Sequence, residues 1–437
     1  MDNNLVSKLI SVVPSENQIA WQALEFTAFL HFGMNTFTNQ EWGDGSESPS
    51  TYNPSDLNTD QWCKVLKDAG IKACIITAKH HDGFCLFDTA YTSHSVMHSP
   101  KPIDVVAELS KSCAKYGLKL GVYLSPWDRH EPSYGASKAY DDFFCAQLEE
   151  LTTKYGSLYS VWFDGACGEG SNSKKQFYDW ERYYDVIRKN QPQAVIAVCG
   201  PDVRWIGNEA GQTRPSEWSV VPARLKDAER IASLSQQVDD ASFRLRPITS
   251  TDEDLGSRKV LADEVDLCWY PAEVDVSIRP GWFYHPAEDD KIRSVENLLE
   301  IYEKSVGGNA VLLLNIPPDT TGNINAADAR RLKELGERIS AIYSHNLLDG
   351  EFVKQTLNRV VLCEDIRKSQ RIEAFCIEAM IDGDWQTIYR GTTVGYKKIC
   401  KFETVCVDGV QVHIEESRGE ASFCFVGGYY DKAKCDT

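Results

Sequence analysis

IKACIITAKHHDG, residues 71–83, decides how the rest of the chain is read. A small-and-apolar run, Ala73 to Ala78, stops abruptly at Lys79-His80-His81-Asp82-Gly83. A run of that length between Gly70 and Gly83 reads as a strand buried on both faces. The segment before it, LNTDQWCKVLKDAG (57–70), repeats its apolar residues at helical spacing. It opens with the N-cap pair Asn58-Thr59 and closes on Gly70, a C-cap residue. The segment PIDVVAELSKSCAKYG (102–117) repeats the pattern, ends on Gly117, and feeds the next apolar run, LKLGVYLSPWD (118–128). Working outward, strand-like runs recur at LEFTAFLHFG (24–33), LYSVWFDG (158–165), AVIAVCGPD (194–202), EVDLCWYP (264–271) and NAVLLLNIPP (309–318). Helical patterns lie between and after them, among them 137–156 and 325–344. Strand and helix in alternation imply a parallel sheet, and about seven strands over this span suit an α/β fold of the (β/α) TIM-like barrel type. No G-x-G-x-x-G follows the first strand, which weighs against a doubly wound dinucleotide-binding sheet.

The pattern changes near residue 345. Short alternating runs follow at 359–366, 370–381, 384–391, 410–417 and 421–428, with Asp382-Gly383 and Asp408-Gly409 as turn signals. The chain therefore divides into a barrel, 1–345, and a small C-terminal antiparallel β-sandwich, 346–437.

The charge balance narrows the partners. The 437 residues carry a formal net charge of -18, and basic runs are no longer than pairs such as Arg367-Lys368 and Lys397-Lys398. That balance repels nucleic acid and anionic lipid. No apolar run is long enough to span a membrane. The first 20 residues lack a secretory apolar region, so the chain as written reads as cytoplasmic, or as periplasmic or secreted if a leader has been removed. The 14 Cys contain no C-x-x-C, and the closest pair, Cys400 and Cys406, is six apart. They form no zinc pattern, and those in apolar runs, such as Cys74 and Cys199, read as small buried hydrophobes. Neither metal nor cofactor is expected.

In a barrel the chemistry sits at the C-terminal ends of the strands. Here those ends carry His31, the pair His80-His81, Asp128, Trp162 with Asp164, Glu209 and the stretch from Trp269 to Trp282. Aromatic faces stack on the apolar side of a sugar, while His and carboxylates bond its hydroxyls. Glycosidic cleavage needs two carboxyl groups, one ionised and one a proton donor. Asp164 fits the first role, and Gly165 would leave space for the sugar ring. Cys167 is a conceivable thiol nucleophile, but no His is paired with it. Two readings compete: a metal-dependent hydrolase using His31, His80, His81 and Asp164 as ligands, and a non-catalytic carbohydrate-binding protein.

At these residues the sequence resembles the α-L-fucosidases of glycoside hydrolase family 29. AFLHFGMNTFTNQEWGDG (28–45), ITAKHHDGFCLFDTAYTSHSV (76–96) and VWFDGA (161–166) carry the resemblance, which spans about residues 15–345. It implies a retaining, metal-free exo-glycosidase with Asp164 as nucleophile. It also implies His31, His80 and His81 as fucose ligands, Glu41-Trp42 as a loop over the sugar, and Tyr123 and Trp162 as pocket walls. RWIGNEAG (204–211) resembles a subgroup that acts on α-1,3- and α-1,4-fucosyl linkages in Lewis-type glycans, which makes Glu209 the acid/base and Glu217 its rival. A broad-specificity α-L-fucosidase is the alternative. In the family-like stretch 268–285, Trp282 is expected over the C5-methyl, and Glu273 or Asp275 at the aglycone. The expected partners are fucosylated oligosaccharides or glycoconjugates. The tail resembles the latter half of a galactose-binding-like sandwich, joined by the short link SHNLLDGEFVKQ and expected to cover the barrel rather than to bind sugar.

Overall fold

The computed structural model describes residues 3–236, 238, 242–245, 254–350 and 354–432. Five strands, β1 (Phe26–Leu30), β2 (Ala73–Lys79), β3 (Lys119–Leu124), β4 (Leu158–Phe163) and β5 (Val195–Val198), lie side by side in parallel and in chain order. Five more follow: β6 (Arg204–Trp205), β7 (Val220–Pro222), β8 (Leu267–Trp269), β9 (Ala272–Ser277) and β10 (Ala310–Asn315). β10 pairs with β1, β9 with β10 and β6 with β9, all parallel. A parallel bridge between Ala197 and Val203 brings the two edges together, so the eight-stranded sheet curls into a nearly closed TIM-like barrel.

Local chemistry explains the helices around it. The helix Thr59–Asp68 starts where the Asn58 side chain accepts from the Gln61 N–H at 2.9 Å. The helix Val105–Tyr116 stops at Gly117, whose φ of +70° suits glycine. Trp62, Leu66, Val106 and Leu109 from these two helices pack on the outer face of the sheet. Inside, Phe29, Ile75, Val195, Val311 and Leu313 fill the barrel, and Trp21 from the helix Glu16–Gln22 joins them. Among the described residues no helix is long and apolar enough to cross a membrane.

One predicted strand is displaced. Within 264–271, only Leu267–Trp269 is extended, and it pairs antiparallel with β7 outside the barrel. The barrel strand is the next segment, AEVDVS, buried throughout. Glu273 and Asp275 break its apolar pattern, because a position facing the barrel interior is polar here by design of the site.

Among the described residues the C-terminal sandwich has six strands: β11 (Gln355–Glu364), β12 (Ile372–Ile381), β13 (Asp384–Gly391), β14 (Lys398–Val407), β15 (Gly409–Ser417) and β16 (Phe423–Tyr429). They form two antiparallel sheets, β14-β11-β16 and β13-β12-β15. Asp382 and Gly383, at φ +53° and +93°, make the two-residue hairpin turn expected between β12 and β13. Asp408-Gly409 is not a hairpin, because the chain there passes from one sheet to the other. β14, interrupted by Lys401 and Glu403, gives little alternation and is not among the strands expected from the sequence.

A buried ion network ties sandwich to barrel. Arg359 on β11 donates to Glu303 of the helix Val295–Ser305 at 2.7 Å and to Asp431 at 3.0 Å. Lys401 also reaches Glu303, and Arg338 also reaches Asp431. Arg359→Ala leaves two buried carboxylates short of a partner. It should destabilise the chain by about 3–5 kcal/mol, read as a lower urea midpoint with pocket kinetics per folded molecule unchanged.

Candidate active site

A cavity of about 640 Å³, counting its open mouth, lies at the C-terminal end of the barrel. His31, Glu41, Trp42, His80, His81, Trp162, Asp164, Glu209, Asp275 and Trp282 all line it. Tyr123 and Glu273 do not. Tyr123 stands behind Asp164, and Glu273 lies beneath the cavity, 1% exposed, where it cannot contact an aglycone. Trp205, at the end of the fifth strand run and within RWIGNEAG, also lines the cavity, as do Ser235 and Gln236, for which the sequence carries no signal.

The three histidines are neutral, because burial pushes each well down: His31 to about 4, His81 to about 3, and His80 below its usual range. The hydrogen-bond network assigns their tautomers. Asn315 spends its amide N–H groups on Ser277 and the Trp282 carbonyl, so its Oδ1 accepts from His31 Nδ1 at 2.8 Å. That leaves His31 Nε2 as an acceptor. Ser125 donates to the Trp127 carbonyl and accepts from His81 Nδ1 at 2.7 Å, leaving His81 Nε2 an acceptor, 3.7 Å from Asp164 Oδ2. Asn35 Nδ2 donates to His80 Nδ1 at 3.2 Å, leaving His80 Nε2–H to donate. The set holds acceptors and a donor, as a ring of hydroxyls requires. Asn315 closes the last barrel strand, and that strand-end position is the signal that would have exposed it.

Asp164 follows β4. Burial raises its carboxyl, against hydrogen bonds from the Ala166 N–H at 2.8 Å and the Tyr123 hydroxyl at 2.9 Å. Gly165 lines the cavity, and a side chain there would run into Ser235 on the same wall. Glu41 lines the cavity with its carboxylate held in place. Its carboxylate accepts from the Trp282 and Phe283 N–H groups and from His285, at 2.7–3.0 Å, and these bonds outweigh burial and hold its pKa below the usual value. The bonds staple the Glu41-Trp42 loop to the Trp282 loop. Trp42 meets His81 and Trp127 edge-on, and Trp282 lies 5.1 Å from the His31 ring.

Glu209 is carried by a folded loop. The Asn208 side chain accepts from the Ala210 N–H and donates to the Gln212 carbonyl, and Gly211 sits at φ +75°. This points Glu209 into the cavity. Its Oε2 is buried without a hydrogen-bond partner, and burial together with the nearby Asp275 raises its pKa. Asp275 accepts from the Trp205 indole at 2.7 Å. Glu217 has a different setting. It is buried outside the cavity with Arg204 and Arg214, whose charges outweigh burial and keep it ionised.

Residues 16–341 match the sequence profile of the family described as Alpha-L-fucosidase. The chain belongs to the α-L-fucosidase family, glycoside hydrolase family 29. Alpha-L-fucosidase 1 of Arabidopsis thaliana is 37% identical over 474 aligned positions, covering 96% of this chain and 88% of the plant protein. A crystal structure from Bacteroides ovatus ATCC 8483, assigned to the α-L-fucosidases, matches with a TM-score of 0.90 at 47% identity, over 98% of this chain and 75% of that one. A Ruminococcus gnavus family 29 fucosidase solved in complex with fucose matches with a TM-score of 0.82 at 28% identity, over 96% and 95% of the two chains.

The buried histidines have a pH consequence. Between about pH 4 and 6.5, His31 takes up a proton in the unfolded chain but not in the folded one. Stability is therefore lost as pH falls through that window, by up to about 1.4 kcal/mol per pH unit for one group. The stability difference between wild type and His31→Gln should shrink by that slope from pH 6.5 to 5, measured by urea unfolding at each pH.

Proposed function

We propose that this chain is a retaining exo-α-L-fucosidase that removes α-1,3- or α-1,4-linked fucose from Lewis-type branched glycans or glycoconjugates. The observation that carries the reading is the contrast between two carboxyl groups in one cavity. Asp164 is held by two hydrogen-bond donors. Glu209 has one oxygen without a donor and a raised pKa. In this reading Asp164 attacks the anomeric carbon while Glu209 gives its proton to the departing sugar oxygen. Water, deprotonated by Glu209, then displaces fucose from the Asp164 ester. His31, His80 and His81 bind fucose hydroxyls, and Trp42, Trp162 and Trp282 pack on its apolar side. The linkage preference rests on the loop Gly207–Gly211, whose resemblance to the 1,3/1,4 subgroup supports Glu209 over Glu217.

Asp164→Asn should keep its fold and lose several orders of magnitude in kcat, since no ester forms. Glu209→Ala should cripple cleavage of fucosyl-GlcNAc, still accept a donor with an activated leaving group, and regain turnover with azide, giving β-fucosyl azide. Glu217→Ala should unfold at lower temperature with no azide rescue, because it strands Arg204 and Arg214. Rescue of Glu217→Ala instead would reverse the two assignments.

Linkage is read by product analysis. Fucose should be released from Lewis a and Lewis x trisaccharides and hardly at all from 2'-fucosyllactose. Equal rates would favour broad specificity. The metal reading draws on one observation: His80, His81 and Asp164 each bring a ligand atom within 4.8 Å of the others. Rates unchanged after dialysis against a chelator are expected. Loss of activity restored by a divalent cation would favour the metal-dependent mechanism instead.

A further inference from the structure

Beneath the cavity floor lies a buried carboxyl group that the proposed reaction does not use. Glu273 is 1% exposed, inside the barrel, and one of its oxygens accepts from the Trp162 indole N–H at 2.8 Å. The other oxygen has no hydrogen-bond partner. Two residues further along β9, Asp275 holds the Trp205 indole in the same manner. Residues i and i+2 of a strand share a face, so both carboxyl groups point inward, and each fixes a tryptophan that lines the cavity.

Trp162 is the link to the reacting group. Its ring stacks on Tyr123, with centroids 5.4 Å apart and planes 27° apart, and meets Phe29 edge-on at 5.2 Å. Tyr123 in turn donates to Asp164 Oδ2. The contacts therefore run from Glu273 through Trp162 and Tyr123 to Asp164. We propose that Glu273 is a positioning residue that locks the Trp162 indole and, through the Tyr123 stack, the orientation of Asp164. The proposal rests on the reading of Asp164 as the nucleophile. Burial pushes the Glu273 carboxyl up to about 7, so its protonated form, which still accepts through its carbonyl oxygen, is within easy reach near neutral pH. An amide presents the same carbonyl acceptor, so Gln should replace it.

The test uses the full chain in five forms: wild type, Glu273→Gln, Glu273→Leu, Trp162→Phe and the Trp162→Phe/Glu273→Leu double variant. kcat and KM are measured on α-L-fucosyl fluoride. Glu273→Gln should stay within about threefold of wild type, whereas Glu273→Leu should lose about 100-fold in kcat with little change in KM, the scale of a small misplacement of a reacting group. The double variant should be no worse than Trp162→Phe alone, because the lock has nothing left to hold. In ¹⁵N-tryptophan spectra the Trp162 indole N–H, assigned by its loss in Trp162→Phe, should resist solvent exchange in wild type and Glu273→Gln and exchange quickly in Glu273→Leu. A Gln variant as damaged as the Leu variant would overturn the proposal. So would a Leu variant with a lowered melting temperature but unchanged kcat, or losses that multiply in the double variant. If wild type failed to turn over the fluoride, the fucosidase reading would fall, while the exchange comparison would still decide whether Glu273 locks Trp162.

Discussion

Carboxyl groups inside a closed barrel are the constraint on which the rest of this site depends. A TIM-like barrel has a packed interior, and an ionised group there loses most of its hydration. Asp164, Glu209, Glu273 and Asp275 are gathered at one end of that interior, and burial raises all four. Each is stabilised mainly by neutral donors: the Tyr123 hydroxyl and a backbone N–H for Asp164, the Trp162 indole for Glu273 and the Trp205 indole for Asp275. Glu209, like Glu273, keeps a buried Oε2 without a donor, and the nearby Asp275 raises it further, whereas Asp164 has two donors in place. A protonated acid beside a better-solvated carboxylate follows from that inequality, and it is the arrangement that glycoside cleavage needs.

The same logic governs the histidines. A charged imidazole beside Asp164 would form a buried ion pair and bind sugar hydroxyls only as a donor. Burial keeps all three rings neutral instead, and Asn315, Ser125 and Asn35 choose their tautomers. The pocket thereby presents acceptors as well as a donor without adding charge. Glu41 shows the opposite use of a carboxylate. Three donors saturate it, so it serves as a staple between two loops and keeps Trp42 and Trp282 at the rim.

The sandwich contributes from a distance. Arg359, Glu303, Asp431, Lys401 and Arg338 form a network of alternating charge at its junction with the barrel. A buried network of this kind is a weak source of net stability but penalises wrong docking strongly, since any misfit strands a charge. This accords with a covering role for the tail.

The barrel was legible in the sequence because its strands are buried on both faces and therefore read as unbroken apolar runs, from LEFTAFLHFG to NAVLLLNIPP. The strand-end rule then located most of the pocket, from His31 to Trp282. The sequence missed β9 for the reason that makes it interesting: Glu273 and Asp275 interrupt its apolar run, so the neighbouring EVDLCWYP looked more strand-like. Nothing local distinguishes Glu273, which lies under the floor, from Asp275, which lines the cavity. Apart from the resemblance carried by RWIGNEAG, nothing local separates Glu209 from Glu217, eight residues apart, one facing a cavity and the other two arginines. Which carboxyl group meets a donor, a cation or empty space depends on residues brought together from β3, β4, β6 and β9. Only the closing of the barrel makes them neighbours, and so only the tertiary structure sets their protonation.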